Sequence, residues 1–252
     1  MKILVTFALE NEFAPWRKLA RFKRVSVDAW DKTYIAQIGL AEVRVLLTGV
    51  GRFAAERAMA EAFSRETPDI CIASGLAGAL KSTYRLSEVL VAKAEADGSR
   101  LIEADHELVG LAERSGARVV ERFLSSKEVV ASAAEKVRLG SMADAVNMEG
   151  LYVLSAAARH SVCPVAIRAI SDTAESNLPL DFSAVFGEKG EVSVTKLLGQ
   201  LAAHPGRLPA LVRLGHDSQR AAAALANFLQ KYVAAIGSEP FRTIAKADAI
   251  AL

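Results

Sequence analysis

Residues 2–13 read KILVTFALENEF. The first six of these are an apolar run that predicts a strand over 2–7, and the chain passes from it directly into two acids, Glu10 and Glu12, where a helix over 12–20 should begin. The same alternation continues. Short β-branched or Leu-rich runs at 43–48, 69–73, 88–94 and 164–170 predict further strands, joined by less pronounced ones near 24–29, 33–38, 118–121 and 143–146. Between them, Ala-rich patterns of helical period cover 52–65, 104–115, 128–139 and 149–160. Strands alternating with helices predict an α/β fold, a single domain with a mixed, mostly parallel central sheet flanked by helices.

A chain of 252 residues, 52% of them hydrophobic, can bury one sizeable core. Its formal net charge of +2 is spread along the chain, and no basic block is longer than RFKR at 21–24, which argues against a nucleic-acid partner. The opening residues lack a small-residue cleavage site, and no segment approaches the roughly 20 uninterrupted apolar residues of a spanning helix. Cys71 and Cys163 lie inside apolar runs and read as reduced core residues, so a soluble cytoplasmic protein is expected. His106, His160, His204 and His216 form no H-E-x-x-H pattern, and no metal or other cofactor is expected. After residue 176 comes the breaker-rich loop NLPLDFSAVFGEKGEVS. Two or three helices interrupted around Pro205 follow it, and then a tail without period.

In an open α/β sheet, ligands bind beyond the carboxyl ends of the strands. Five strand ends carry informative residues: FALENEF (7–13), TGVGRFAAERA (48–58), ASGLAGAL (73–80), AVNMEG (145–150) and RAISDTA (168–174). Two are expected to be glycine turns that let backbone approach a ligand closely. The other three present acids: Glu10 and Glu12, Glu149, and Asp172. Each acid alone has a purely structural reading, as a first-turn acid favoured by the helix dipole or, for Asp172, as an Asx-type cap. Three acids on one edge form a set able to move protons, because neighbouring carboxylates push their pKa values apart. GVGRFA at 49–54 also fits a loose dinucleotide fingerprint, but Asp69 precedes the following strand instead of ending it, so a nicotinamide site is not expected.

Together ALENEF, TGVGRFAAERA, SGLAGAL, NMEG and RAISDTA resemble the nucleoside phosphorylase and nucleosidase superfamily. They are closest to its methylthioadenosine/S-adenosylhomocysteine nucleosidase branch, over roughly residues 1 to 185. The resemblance implies cleavage of an N-glycosidic bond, with the purine leaving group protonated while the ribose gains cation character. By similarity Asp172 is the general acid, with Ser171 orienting it. Glu149 receives the ribose hydroxyls and Met148 packs beneath the sugar. Glu12 orients and deprotonates the attacking water, with Arg168 binding the water network or an anion. Val129, Val130 and Gly78 match base-binding positions, while Leu9, Val50 and Phe182 match the pocket for the 5' substituent. For the apolar positions among these, core packing is the competing reading.

Glu10 and Glu12 at the rim of the first strand would repel a phosphate dianion, and Glu12 suits activation of neutral water, so hydrolysis is expected over phosphorolysis. The chain departs from the branch at Leu76, where a serine is common, and at Lys127, where an aspartate is usual. The stretch after SEVLVAKAEADGSR is also short. The expected activity is therefore hydrolysis of a 5'-substituted adenosine such as methylthioadenosine or S-adenosylhomocysteine. The alternatives are a phosphate-dependent phosphorylase, with a lipid-linked, hopanoid-type adenosine among its candidate substrates, and a nucleoside-binding protein without turnover. The expected partner is a small-molecule nucleoside, and the resemblance implies a homodimer. Residues 1–185 form the expected core, 186–237 a helical extension packed on it, and 238–252 a tail. Covering of a sheet edge or a subunit is favoured for the extension over contact with a membrane surface.

Overall fold

The computed structural model describes residues 1–25, 33–180 and 205–238. Strand β1 (Lys2–Phe7) leads into helix α1 (Glu10–Leu19), and the short β2 (Lys23–Arg24) precedes β3 (Thr33–Ile38) and β4 (Ala41–Leu47). Then follow α2 (Arg52–Arg65), β5 (Ile70–Ala79), β6 (Val89–Ala96), β7 (Leu101–Glu103), α3 (His106–Arg114), β8 (Arg118–Ser125), α4 (Ala133–Leu139), β9 (Ala145–Asn147), α5 (Gly150–Arg159) and β10 (Cys163–Asp172). A 3-10 turn at Pro205–Arg207 opens the long helix α6 (Leu208–Ser238).

All ten strands form one mixed sheet in the order β10-β6-β8-β9-β5-β1-β4-β3-β2, with β7 beside β6. The central pairings β4–β1, β1–β5 and β5–β10 are parallel, as are β6–β8 and β8–β9. Because β10 bonds to β5 as well as to β6, and β9 returns to β5, five strands close into a barrel that opens into a flat wing at β1. Closure removes the edges from the strands that carry the acids and holds their ends in fixed register.

Two apolar layers sandwich the sheet. On one side Phe7, Phe13, Trp16, Phe22 and Tyr34 form an aromatic cluster with ring centroids 4.9–6.5 Å apart, continuous with Leu108 of α3 and with Leu225, Leu229, Tyr232 and Ile236 of α6. On the other, Met59 and Phe63 of α2 meet Tyr152, Val153 and Leu154 of α5 over Leu4, Cys71 and Leu90. The second half of α6 therefore shares its core with β1 and α1. Trp16 Nε1 donates to Gln230 Oε1 at 3.0 Å, and Tyr232 Oη donates to the Leu108 carbonyl at 2.9 Å. Pro209 is tolerated because it lies in the first turn of the helix, where its missing N–H has no partner to lose. No helix among the described residues is long and apolar enough to cross a membrane.

Several boundaries differ from the sequence expectation. The strand expected to end at residue 73 continues to Ala79, so ASGLAGAL is a strand and not a glycine turn. Gly75 supplies the bend within it, at φ 141°. The helix expected over 128–139 starts only at Ala133, because Ser132 caps it by accepting from Glu135 N at 3.2 Å. Residues 128–132 are left as a non-helical wall, tied down where Leu178 N donates to the Ala131 carbonyl at 2.8 Å. Similarly Asp105 caps α3 from outside, accepting from Glu107 N and Leu108 N, both at 3.0 Å. β7 is too short at three residues to leave a periodic trace. Of the strand expected at 24–29, residues 26–29 lie outside the described residues, as do the C-terminal segments before 205 and after 238.

Leu229 is fully buried, whereas Val212, on the same helix, is 63% exposed. Leu229→Ala is expected to lower unfolding free energy by about 2–5 kcal/mol through transfer and cavity terms. Val212→Ala should stay within about 0.5 kcal/mol of wild type. Urea titration measures both, and equal effects would show that α6 does not belong to the core.

Candidate active site

The carboxyl ends of β1, β4, β5, β9 and β10 converge on a cleft of about 250 Å³. Glu12, Glu149 and Asp172 all line it, together with Ser171, Met148, Val129, Val130, Gly78, Leu9 and Val50. Arg168 does not reach its surface and lies buried at 2% exposure behind it. Phe182 lies outside the described residues. Leu76 borders the cleft, and Lys127 is exposed away from it.

Only one of the two opening acids enters the cleft. Residues two apart on an α-helix point about 200° apart, so Glu10 and Glu12 cannot share a face. Glu10 accepts from Tyr34 Oη at 3.2 Å and pairs with Arg17 at 2.9 Å. Glu12, at the third position of α1, turns back over the strand end. One oxygen accepts from Ala8 N and Leu9 N at 3.0 and 3.1 Å, and the other from Leu76 N at 3.2 Å. The structural reading of Glu12 is therefore also realised, since its carboxylate caps the helix. Burial pushes its pKa up, opposed by these backbone donors and by the charge of Arg168.

Glu149 stands at the N-cap of α5 but makes no side-chain cap there. Its Oε1 accepts instead from Gly51 N at 2.7 Å, at the start of α2. The glycine turn 49–51 adopts φ of 80° and 85° at its two glycines, which brings the positive end of α2 to this carboxylate. Burial nevertheless dominates and raises the Glu149 pKa to about 7, against the lowering effect of Arg168 and the Gly51 bond.

Arg168 Nη1 donates to the Ser74 carbonyl at 2.8 Å and Nη2 to Asn147 Oδ1 at 3.3 Å. A Cβ at position 75 would lie 2.6 Å from Nη1 and 3.4 Å from Glu12 Oε1, so the glycine is what admits the guanidinium. Asn147 Oδ1 also accepts from Glu149 N and Gly150 N at 3.0 and 2.8 Å. The Asn147 amide donates in turn to the buried carboxylate of Glu95, which also accepts from Ser125 Oγ at 2.8 Å. A Cβ on Gly150 would meet Glu95 Oε1 at 2.1 Å, which accounts for the glycine in NMEG.

At the end of β10 the register with β5 shifts between Ile170 and Asp172, leaving Ser171 as the extra residue and setting Asp172 opposite Gly78. Ser171 Oγ donates to Asp172 Oδ1 at 2.8 Å. Asp172 Oδ2 is ion-paired with Lys136 of α4, whose side chain is fully buried.

Over residues 2–203 the sequence matches the phosphorylase superfamily. The chain belongs to that superfamily, and thus to the nucleosidase and nucleoside phosphorylase enzymes its motifs resemble. Among solved structures, a Helicobacter pylori 5'-methylthioadenosine/S-adenosyl homocysteine nucleosidase bound to a substituted pyrrolidin-3-ol is 18% identical, with a TM-score of 0.72 over 92% of this chain and 97% of that one. The nucleosidase of the same name from Neisseria meningitidis, in complex with methylthio-immucillin-A, is 20% identical, with a TM-score of 0.69 over 93% and 99%. The futalosine hydrolase of Helicobacter pylori is 18% identical, with a TM-score of 0.71 over 92% and 97%. These likenesses establish a shared fold.

The structure adds residues that the sequence reading did not single out: Glu95 and Lys136 behind the acids, and Asn147 together with Leu214 and Ser218 of α6 on the cleft wall. Ser218 stands in the helical stripe that continues through Ala221, Ala222 and Leu225. A polar residue in an otherwise apolar face was its one available signal.

Glu149 also generates a pH prediction. Its pKa is raised from 4.5 to about 7 on folding, so the folded state holds the proton more tightly. The associated stability is fully present below the unfolded value and is lost as pH rises through about 7. Glu12 is shifted in the same direction. Wild type should therefore lose stability between about pH 5 and about pH 8, and Glu149→Gln should show a shallower decline in chemical denaturation. An unchanged slope would mean that this carboxyl is not desolvated.

Proposed function

We propose that this protein is a purine nucleosidase that hydrolyses the N-glycosidic bond of a 5'-substituted adenosine, with methylthioadenosine and S-adenosylhomocysteine as representative substrates. One observation carries the choice of water over phosphate. The cleft is lined by four acids, Glu12, Glu128, Glu149 and Asp172, and by no Arg, Lys or His among the described residues. A phosphate dianion would meet carboxylates without a facing cation, whereas neutral water carries no such Coulomb cost. The charge of Arg168 is felt by Glu12 and Glu149, but the residue does not line the cleft, and its two terminal nitrogens already donate to the Ser74 carbonyl and Asn147 Oδ1, so it offers no direct ligand to a phosphate.

In this reading Asp172, held as a carboxylate by Lys136 and Ser171, takes up a proton from solvent as substrate binds and gives it to a purine ring nitrogen as the C1'–N9 bond breaks, and the bonding pair leaves with the base. The ribose becomes oxocarbenium-like. Glu149 accepts from the ribose hydroxyls and so supplies negative charge where cation character develops, while Met148 packs against the sugar. The water oxygen adds to C1', and its proton passes to Glu12, which burial makes a stronger base than an ordinary carboxylate. Val129, Val130 and Gly78 border the base, with the backbone of 128–132 available because α4 begins late. Leu9 and Val50, extended by Leu178 and Leu214, offer an apolar wall to a thioether or alkyl 5' group.

Incubation with methylthioadenosine, S-adenosylhomocysteine and adenosine, with and without phosphate, tests the reading. Adenine and free sugar should form at the same rate in both conditions, whereas strict phosphate dependence with a sugar 1-phosphate product would assign a phosphorylase. Asp172→Asn and Glu12→Gln should each lower kcat by at least about 10²-fold.

A further inference from the structure

Lys136 is the one lysine or arginine besides Arg168 whose side chain is fully buried among the described residues, and none of the roles above uses it. It lies in α4 next to Val137, which is 62% exposed, so the helix buries its cation and presents its valine to solvent. This is the reverse of ordinary patterning, and such a conflict marks a residue held for a reason other than packing. An ammonium has three protons to donate, and out of water each needs an acceptor. Nζ has them: Asp172 Oδ2, the Thr173 carbonyl at 3.1 Å and the Ser176 carbonyl at 3.0 Å. Ser176 Oγ lies at 3.5 Å. Lys136 does not line the cleft. It approaches Asp172 from behind, while Ser171 Oγ holds the other oxygen.

We propose that Lys136 is the positioning residue for Asp172 and stabilises the charge left on it during base departure; this rests on the nucleosidase reading above. The Asp172 carboxyl is held at both oxygens by groups from different elements, Ser171 of β10 and Lys136 of α4, which restricts its rotation and aims it at the base. When its proton moves to the purine and the bonding electrons follow the base, the carboxylate that forms lies against an ammonium shielded from water. That attraction grows as the proton leaves. Measured from the bound complex in which Asp172 carries the proton it is to give, it therefore favours the transition state and acts on kcat more than on KM. The same ammonium fastens the Thr173–Ser176 turn, so the segment after β10 and the acid are set by one side chain.

The test uses the full chain and a nucleoside that wild type hydrolyses. Lys136→Met, with folding checked by circular dichroism and thermal melting, should lower kcat by at least about 10²-fold while KM stays within about 3-fold. Lys136→Ala should regain kcat with added ethylammonium, which can donate to Asp172, and not with tetramethylammonium, which cannot. A purely structural lysine would give no such distinction between the two ions. Lys136→Met turnover close to wild type, or a failure of ethylammonium to restore a folded Lys136→Ala, would overturn the inference. Should the neutral variants not fold, Lys136→Arg decides. A kcat within about tenfold of wild type supports charge at this place, and a loss as deep as that of Asp172→Asn contradicts it. If wild type releases no base from any purine nucleoside, the functional reading fails and this inference with it; if wild type turns over and the lysine variants match it, this inference alone fails.

Discussion

Arg168 carries a permanent positive charge into a place that water does not reach, and the cleft is arranged around it. Its guanidinium is held by the Ser74 carbonyl from β5 and by Asn147 from the end of β9, and its charge acts on Glu12 from α1 and Glu149 from α5. Burial alone would drive both acids toward neutrality. The arginine opposes this, so that two carboxyls facing one small cavity are not forced fully into the protonated state. Accommodating it requires Gly75, since any Cβ there would overlap Nη1. Asn147 then couples the same charge to the start of α5 and, through Glu95 and Ser125, to β6 and β8.

Barrel closure gives this cluster its rigidity. β10 bonds on both sides, to β5 and to β6, which fixes Arg168 midway along the strand and Asp172 at its end. The register shift before Asp172 redirects the last side chain over Gly78 and into the cleft. The acids consequently come from elements whose relative positions cannot drift independently. A capping role and a place in the cleft also coincide in one residue: Glu12 closes the first turn of α1 with the same carboxylate that faces the cleft.

Much of the architecture was legible in the sequence because it follows from local periodicity. The strand at 2–7, the helix at 52–65 and the apolar strand ending in RAISD appear within a few residues of their expected places. Departures arise where a local pattern is overruled by something distant. The strand β5 runs through two glycines, Gly75 and Gly78, because β10 pairs with it along nearly its whole length. The helix expected from 128 is delayed to 133 by a cap and by the bond from Leu178 N to the Ala131 carbonyl.

By itself the sequence determined which acids stand at strand ends, since a strand's carboxyl end is set by a short run of residues and their immediate neighbours. It also carried, in the glycines of GVG, a turn at positive φ and, in Gly150 of NMEG, a place where a side chain from another segment comes close. Only the tertiary structure decided that Glu12 enters the cavity and Glu10 does not, that Arg168 stays behind the wall, and that Lys136 reaches Asp172. Those outcomes depend on which groups lose their water together. Desolvation is a property of the assembled barrel, in which residues 136, 149 and 168 are buried and residues 12 and 172 partly so, and no local stretch of chain encodes it.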